Sequence, residues 1–456
     1  MVDINKIKKN PFPLLLILIL LFGFILRIYS LSQPMWIDET ISSLASLKIL
    51  EKGLPIFDSG IFYSRALLFH YSQAFFFLFQ VSDITARLPS LIFGLLTIVL
   101  AYFIGKEYNK TAGIVSALFT SIFLLEIVYS TQARFYQLFQ LLFFLTIFLL
   151  YKADKNKKYS WLSLISLIVL INTHLAGLIL LPFFFYFYRK DYKLLIIPSL
   201  LLIYYGFSIL SVFSSQGSSG IENAQDFSFK IFSNLRAFLL ISILGMYFAF
   251  KKNKILTLTI LLPSIILFIS LFFQPVFASR YLYFLVLPII IFFSLVLTKI
   301  KEHSPLLFIL VLLFSLLYPS DLFFSSPLTI LKPHQINYFS SSEPSLDFSL
   351  QASTIDLARN STLVCLFTPS CAWYIKSPDY FIPFSLNSLS SGYFVKDNKD
   401  IYTNAEVFDN QADPFILIED DFGYNKLNEA EKADYNKIKE GCTQIDKTPS
   451  IRVYSC

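Results

Sequence analysis

The sequence predicts an all-α polytopic membrane domain of about eleven transmembrane helices with a long first outer loop, followed by a small α/β extracytoplasmic domain. Of the 456 residues, 55% are hydrophobic and only 15% are charged, whereas a soluble chain carries about 25% charged residues. Apolar runs fill residues 11–319, and mixed sequence fills residues 332–456. We therefore expect one domain in lipid, residues 1–331, and one in water, residues 332–456.

The predicted spans are apolar runs that end at charged or turn residues, since a helix needs about 20 residues to cross the hydrocarbon core. The fifth and sixth are short, but a single merged span of about 28 residues would be too long for a simple crossing. The run at 66–80 is also short and contains His70, Ser72 and Gln73, so we expect an interfacial helix there. The eleven spans lie near residues 11–29, 88–105, 112–130, 135–151, 160–173, 175–188, 194–213, 231–250, 255–273, 281–298 and 305–319.

The loop charges predict the orientation of these helices. Alternate loops hold 17 Lys and Arg residues in 37 positions, whereas the much longer opposite loops hold fewer. The positive-inside rule then places the N-terminus in the cytoplasm, and eleven crossings bring residues after 320 to the outer side. Arg27 follows the first apolar run where a cleaved signal would carry small residues, so we expect an uncleaved first span in a multi-pass plasma membrane protein.

The net charge of +6 is divided unevenly along the chain. Residues 1–331 hold 26 Lys and Arg against 14 Asp and Glu, and residues 332–456 hold 11 against 17. Cytoplasmic loop charges account for the basic membrane part, so the balance does not indicate a nucleic acid partner.

The cysteines agree with this topology, because all four lie in the predicted outer domain, where an oxidising compartment permits disulfides. Three pairings are open, as is the alternative of four unpaired buried thiols. Thr448-Pro449 indicates a turn between Cys442 and Cys456, and a hairpin there would bring their Cα atoms near the ~5.5 Å that a disulfide needs. We therefore predict a Cys442–Cys456 bond, with Cys365–Cys371 as the second.

The predicted outer domain has an α/β pattern. Three segments have the composition of strands: Thr362–Phe367, Pro414–Ile418 and Ile451–Tyr454. Asn425–Lys439 has the pattern of a charged helix, and Asp420–Gly423 before it that of a turn. Residues 332–456 show no nucleotide-binding loop, catalytic triad pattern or metal-ligand spacing, so we expect the chemistry on the outer face of the membrane domain.

The first outer loop, residues 30–87, is far longer than most connections, and long loops on a rigid scaffold usually carry function. It places two adjacent carboxylates, Asp38 and Glu39, just past the first span, and alone they would be taken for a solvated acidic pair. Five arginines near the outer ends of spans favour a functional site over a solvated acidic pair, since the positive-inside rule disfavours arginine there. Each alone could anchor its helix or contact a lipid headgroup, but together they predict an anion site for a phosphate-bearing substrate. The five are Arg27, Arg65, Arg87, Arg134 and Arg280.

The outer segments resemble those of a known family. Leu26–Pro55, with its Asp-Glu pair and a following helix that ends at glycine, is similar to the first outer loop of the GT-C glycosyltransferases. The branch it resembles most holds the protein O-mannosyltransferases and the lipid A aminoarabinose transferases. Arg87–Ser90 with Gly94 and Gly105 resembles that family's second span.

The resemblance continues along the chain and covers roughly residues 20–300. Ala133–Tyr136 is similar to the outer start of the family's fourth span, and Thr173-His174 and Ser279–Tyr281 also resemble family segments. The family's proline-rich segment before the second span is replaced here by Leu67–Tyr71, which leaves the handling of the acceptor open.

The resemblance implies transfer of a sugar from a polyprenyl-phosphate donor to a hydroxyl of a glycan, lipid or protein acceptor outside the cytoplasm, with inversion. It implies that Asp38 is the general base, because an acceptor hydroxyl needs a positioned proton acceptor. Glu39 then supports Asp38 or holds a divalent cation, Mg²⁺ or Mn²⁺. Arginines would stabilise the charge that grows on the leaving phosphate. The candidates are Arg134, Arg280 and Arg65 for the phosphate, and His174, Arg87 and Tyr136 for other substrate contacts.

Two other classes stay open. A transporter or flippase of a lipid-linked or phosphate-bearing substrate would also be polytopic, but such folds usually show inverted repeats and broken helices with charge at the midplane. The sequence shows no convincing repeat, and Glu126 is the only acid well inside a predicted span. A non-catalytic membrane scaffold that displays the outer domain would need neither the carboxylate pair nor the clustered arginines.

Overall fold

The computed structural model describes residues 12–28, 30–57, 60–214, 239–271, 283–317, 350–366, 368–376, 379–381 and 414–456. The chain divides into two compact units. The first contains Met1–Leu31, Ser90–Thr131 and Phe135–Phe339, and the second contains Ser32–Pro89, Gln132–Arg134 and Ser340–Cys456. The second unit therefore joins the first outer loop to the C-terminal region, although the sequence suggests a single division after residue 331.

Helices dominate both the first unit and the outer loop. In chain order the first nine are α1 Phe12–Ile28, α2 Ile37–Lys52, α3 Leu67–Phe77, α4 Asp83–Lys106, α5 Lys110–Ile122, α6 Leu124–Ser130, α7 Tyr136–Lys155, α8 Ser160–Thr173 and α9 Leu181–Tyr188. They are followed by α10 Tyr192–Ser214, α11 at 239–252, α12 Lys254–Leu271, α13 Val286–His303 and α14 Pro305–Leu317. The C-terminal helices are α15 Ala352–Asn360, α16 Thr368–Tyr374, α17 Asp421–Lys426 and α18 Glu429–Lys439.

Within the described ranges, three helices are long and apolar enough to cross a membrane: Asp83–Lys106, Tyr136–Lys155 and Tyr283–His303. The pair α5 and α6 passes the same test as one bent span. The described ranges also contain apolar helices that are shorter, with 10–17 residues each. They are Phe12–Ile28, Leu175–Tyr188, Tyr192–Gly206 and Lys254–Ser270. The predicted helical membrane protein is thus confirmed, whereas the count of eleven spans stays a prediction.

The predicted span at 112–130 is present as a broken helix, because the chain divides there into α5 and α6, which are bent by 62°. Phe123 leaves the helical conformation at the break, with ψ of 126°. A break exposes carbonyl groups that have no intrahelical partner. The buried guanidinium of Arg27 satisfies two of them, since it donates to the carbonyl oxygens of Ser121 at 2.8 Å and Thr120 at 3.3 Å. Arg27 is therefore a helix-capping residue in the first unit.

The first outer loop contains two helices rather than irregular chain. Helix α2 ends at Gly53, whose φ of +75° suits glycine and lets its N–H bond to the carbonyl of Ile49 at 2.8 Å. The expected interfacial helix at 66–80 is present as α3, which is shorter at the C-terminal end. Its buried face carries His70, whose Nδ1 lies 3.2 Å from the hydroxyl of Ser46 on α2.

The C-terminal region forms a five-stranded sheet in the order β2-β1-β3-β5-β4. Parallel pairs join β1 to β2 and β3, whereas β5 is antiparallel to both β3 and β4. Successive side chains of β1 and β3 point to opposite faces of the sheet, so each face carries its own hydrophobic core. The strands are β1 Thr362–Cys365, β2 Tyr380–Phe381, β3 Phe415–Asp420, β4 Thr443–Lys447 and β5 Ile451–Ser455.

Two local predictions in this region need correction. Asp420–Gly423 is the junction between β3 and α17 rather than a turn, because the Asp420 carboxylate accepts the Gly423 N–H at 2.6 Å and caps the helix. Burial raises the pKa of Asp420 to about 7. The helix expected at Asn425–Lys439 begins instead at Glu429, because Asn428 and Glu431 form a capping box.

The cysteines are joined as Cys365–Cys371 and Cys442–Cys456, with Cα separations of 6.7 Å and 4.3 Å. The first bond links the end of β1 to α16. The second links the residue before β4 to the residue after β5, so it closes the antiparallel hairpin at the other side of the sheet.

Candidate active site

The carboxylates Asp38 and Glu39 lie in the first turn of α2, in the second compact unit. The helix begins there because Trp36 has extended backbone at the N-cap and the Glu39 side chain accepts the Trp36 N–H at 3.2 Å. Neighbouring positions on a helix point about 100° apart, so the two side chains enter different surroundings.

Glu39 is buried, with a side chain only 2% exposed, and both of its oxygens are engaged. Arg87 donates two parallel hydrogen bonds of 2.9 Å to Glu39, from Nε to Oε1 and from Nη2 to Oε2. Oε1 also accepts the N–H of Ala133 at 2.5 Å, and Oε2 accepts that of Trp36. Glu39 therefore joins three segments of the second unit and is not placed to accept a proton from a substrate.

The same contacts limit how Glu39 could bind a divalent cation. A carboxylate offers about four lone-pair sites, and four N–H donors occupy those of Glu39. A cation held by both Asp38 and Glu39 would have to displace Arg87 or a backbone amide. Among the described residues no group of three or more His, Cys, Asp and Glu side chains has a metal-binding arrangement. The residues present do not fit a cation held by the carboxylate pair.

Asp38 has a different environment, since its side chain is 26% exposed. Its Oδ2 lies 3.3 Å from Nη2 of Arg134, whose side chain is 9% exposed. Nη1 of Arg134 donates to the carbonyl oxygen of Asp38 at 3.0 Å and to the Ser42 hydroxyl at 2.8 Å. This fork holds the guanidinium beside the carboxylate, so Asp38 presents an oriented and accessible carboxylate group.

Glu39 also fixes the arginine of this pair. The amide of Ala133, which bonds to Glu39, directly precedes Arg134 in the chain. Arg87, which carries the other half of the ion pair, lies in the first turns of α4 and also donates to the carbonyl oxygens of Gln33 and Pro34. The buried ion pair thereby orders the chain on both sides of Asp38 and Arg134.

Three of the other candidates lie among the described residues. Arg65 is exposed, in the second unit. Tyr136 is buried against Tyr129 in the first unit, with ring centroids 5.8 Å apart. His174 caps a 3₁₀ turn, because its Nδ1 accepts the Ala176 N–H at 3.1 Å, and its ring stacks on Phe135. Arg280 lies outside the described residues.

Three residues of the second unit lie close to the start of α2 but were not among the candidates predicted from the sequence: Asp83, Trp373 and Tyr374. Trp373 and Tyr374 follow Cys371 in the predicted outer domain, and an adjacent aromatic pair beside a disulfide cysteine was the available signal. Their partner Asp83 lies some 290 residues earlier in the chain, and no local pattern around Asp83 indicates this contact.

The resemblance to the GT-C membrane glycosyltransferases seen in the sequence is confirmed by a family model that matches part of the chain and by the folds of solved structures. The family model described as dolichyl-phosphate-mannose-protein mannosyltransferase matches residues 64–216, a stretch that begins after the carboxylate pair. No curated protein sequence matches the chain.

Solved structures match over greater lengths. ArnT from Cupriavidus metallidurans in its apo state has a TM-score of 0.64 at 10% identity, and the match covers 98% of each chain. The same protein bound to undecaprenyl phosphate has a TM-score of 0.63, with 96% of this chain and 97% of that chain covered. The Archaeoglobus fulgidus oligosaccharyltransferase has a TM-score of 0.52 at 14% identity over 76% of this chain, which spans only 55% of that protein's length.

Proposed function

We propose that the chain transfers a sugar from a polyprenyl-phosphate donor to an acceptor hydroxyl on the outer face of the membrane, with Asp38 as the general base. The observation that carries the proposal is the oriented, partly exposed Asp38 carboxylate beside the Arg134 guanidinium, on a loop that the buried Glu39–Arg87 pair orders. The orientation rests on the positive-inside distribution of the loop charges. ArnT, which has been solved with undecaprenyl phosphate, supports a polyprenyl-phosphate donor.

The proposed reaction is a single displacement. The acceptor hydroxyl gives its proton to the Asp38 carboxylate, and its oxygen attacks the anomeric carbon of the donor. The bond from that carbon to the phosphate oxygen breaks on the opposite side, and the phosphate leaves with the electron pair, so the configuration inverts. Arg134 faces the growing phosphate charge in this scheme, and a guanidinium stays protonated throughout. Arg65 and Arg280 remain candidates for further phosphate contacts.

The isoprenoid tail explains why such a reaction needs a membrane domain. The tail dissolves in lipid, and the sugar phosphate lies at the interface, which is where the first outer loop begins after α1. The chemistry is then a matter of bringing an acceptor hydroxyl within about 2.6–3.2 Å of Asp38.

The test is transfer of radiolabelled sugar from candidate polyprenyl-phosphate donors by the detergent-solubilised full chain. Asp38→Asn keeps the size of the side chain but cannot accept the proton, so transfer should fall by about 10²–10⁴-fold while donor binding changes little. Glu51→Gln is the matched control, because Glu51 is an exposed carboxylate on the same helix that pairs with Lys48 at 2.7 Å. This variant should leave transfer unchanged. NMR of the product reports the anomeric configuration.

Arg134→Ala should weaken donor binding and also slow transfer, because the phosphate charge grows as the bond breaks. Arg134→Lys should rescue part of the loss, since lysine lacks the two-pronged fork. Full activity in Asp38→Asn would remove its role as base. Movement of the donor across vesicles without any transfer would favour a flippase instead.

A further inference from the structure

Helix α16 of the C-terminal region bonds directly to the loop that carries Asp38, within the second compact unit. The indole N–H of Trp373 donates to Oδ1 of Asp83 at 2.9 Å, and the hydroxyl of Tyr374 donates to Oδ2 at 3.0 Å. The same hydroxyl oxygen accepts the backbone N–H of Met35 at 2.7 Å. We call Asp83, Trp373 and Tyr374 the aromatic clamp.

The clamp holds the chain at the point where α2 begins. Met35 is fully buried and lies three residues before Asp38, and Trp36 between them is the N-cap of the helix. A hydrogen bond to the Met35 amide therefore fixes the entry of the chain into the turn that presents the Asp38 carboxylate. Asp83 begins α4, whose next turn carries Arg87, so the clamp also ties the two helix starts together.

Apolar contacts reinforce these bonds. The rings of Trp373 and Phe77 have centroids 5.8 Å apart, and Trp373 and Tyr374 pack against the cluster that contains Met35 and Ala133. Burial of aromatic rings gives such a contact most of its stability, while the hydrogen bonds set its geometry. A single geometry is what a positioned base requires.

The Cys365–Cys371 disulfide braces the helix that carries the clamp. It joins the last residue of β1, in the centre of the C-terminal core, to α16 two residues before Trp373. Helix α16 has only seven residues, and isolated helices of that length are unstable in water. The covalent link therefore holds α16 on the sheet in the orientation that points Trp373 and Tyr374 at Asp83.

We infer that Asp83, Trp373 and Tyr374 are positioning residues for the transfer reaction: the C-terminal domain sets the place of Asp38 through the Met35 amide. This inference rests on the proposed function of Asp38. It assigns the C-terminal domain a role in the rate of the chemical step rather than in binding of the donor.

The test compares Tyr374→Phe with Tyr454→Phe, a second tyrosine of the same domain whose hydroxyl lies 3.3 Å from Lys439. Donor binding is measured by saturation with radiolabelled polyprenyl phosphate, and the transfer rate in a single turnover at equal donor occupancy. Tyr374→Phe should keep the donor affinity and the number of binding sites but slow the single turnover by about 10- to 100-fold, because a misplacement of about 1 Å costs about 100-fold. Tyr454→Phe should match the wild type.

Loss of folded protein alone would lower the number of donor sites and leave the single-turnover rate intact, and that result would overturn the inference. A cycle with Asp83→Ala gives a second criterion. If the clamp acts as one unit, the double variant with Tyr374→Phe should be no slower than Asp83→Ala alone, because the two residues serve the same contact. Losses that multiply would show independent roles and would contradict the clamp. Asp83→Asn should rescue part of the rate, since it keeps one acceptor oxygen.

The disulfides offer a matched pair. Serine replacement of both Cys365 and Cys371 should slow the single turnover, whereas replacement of both Cys442 and Cys456, which close the hairpin at the other side of the sheet, should not. Equal effects of the two pairs would refute a specific role of α16. If the wild type transfers no sugar, the proposed function fails. If the wild type transfers sugar and Asp38→Asn does not, yet Tyr374→Phe behaves as the wild type, only the clamp fails.

Discussion

Removal of Arg87 should destabilise the protein far more than removal of an exposed ionic partner. Arg87 supplies two of the four hydrogen bonds that Glu39 accepts, and its replacement by alanine leaves a carboxylate that is 2% exposed without its counter-charge. Breaking a buried pair by removing one partner costs about 3–5 kcal/mol. Lys437→Ala is the comparison, because Lys437 pairs at 3.0 Å with Asp434, both side chains are exposed (74% and 67%), and loss of such a pair costs about 0–1 kcal/mol.

The assay measures the thermal midpoint of the detergent-solubilised chain, the yield of folded protein by gel filtration, and sugar transfer per folded molecule. Arg87→Ala should lower the midpoint and the yield, while Lys437→Ala should change neither. A double replacement of Arg87 and Glu39 by leucine should recover part of the midpoint, because no buried charge is then uncompensated. A stable Arg87→Ala variant that had lost donor binding would refute the structural role and would make Arg87 a phosphate ligand.

Two further predictions concern topology and pH. A thiol reagent that cannot cross membranes should label the reduced cysteines in intact cells, whereas Ser304→Cys in a chain without other cysteines should be labelled only after the cells are opened; the reverse pattern would invert the orientation. Burial and the nearby Arg134 lower the pKa of His70 from 6.5 to about 3, so the unfolded chain takes up a proton below pH 6.5 that the folded chain excludes. The free energy of unfolding should therefore fall by up to about 1.4 kcal/mol per pH unit as the pH drops from 6.5 toward 3. His70→Asn should reduce the change in thermal midpoint measured between pH 7 and pH 5. An unchanged slope in the variant would show that another group titrates.

The sequence by itself indicated a helical membrane protein, because about 20 consecutive apolar residues have no stable alternative to a helix in a membrane. It also identified the first outer loop and the Asp38-Glu39 pair, since both are local in the chain. The glycine at position 94 belonged to a recognised pattern, but its reason is tertiary: a Cβ there would lie 2.4 Å from Cβ of Ser130.

The roles of the charged residues were decided only by the tertiary structure. In the sequence, only the family resemblance separates Asp38 from Glu39 and Arg134 from Arg27 and Arg87, because the local pattern of charges is the same for each. In the structure, burial separates them: Glu39 and Arg87 neutralise each other in the interior, Arg27 caps a broken helix, and Asp38 keeps an exposed carboxylate beside Arg134. A charge acquires its role from its partners and its access to water, and these partners lie 48 to 96 residues apart along the chain. Local sequence does not reveal partners so far apart. Only the folded structure shows that the Glu39 carboxylate is buried in an ion pair, whereas the Asp38 carboxylate stays accessible.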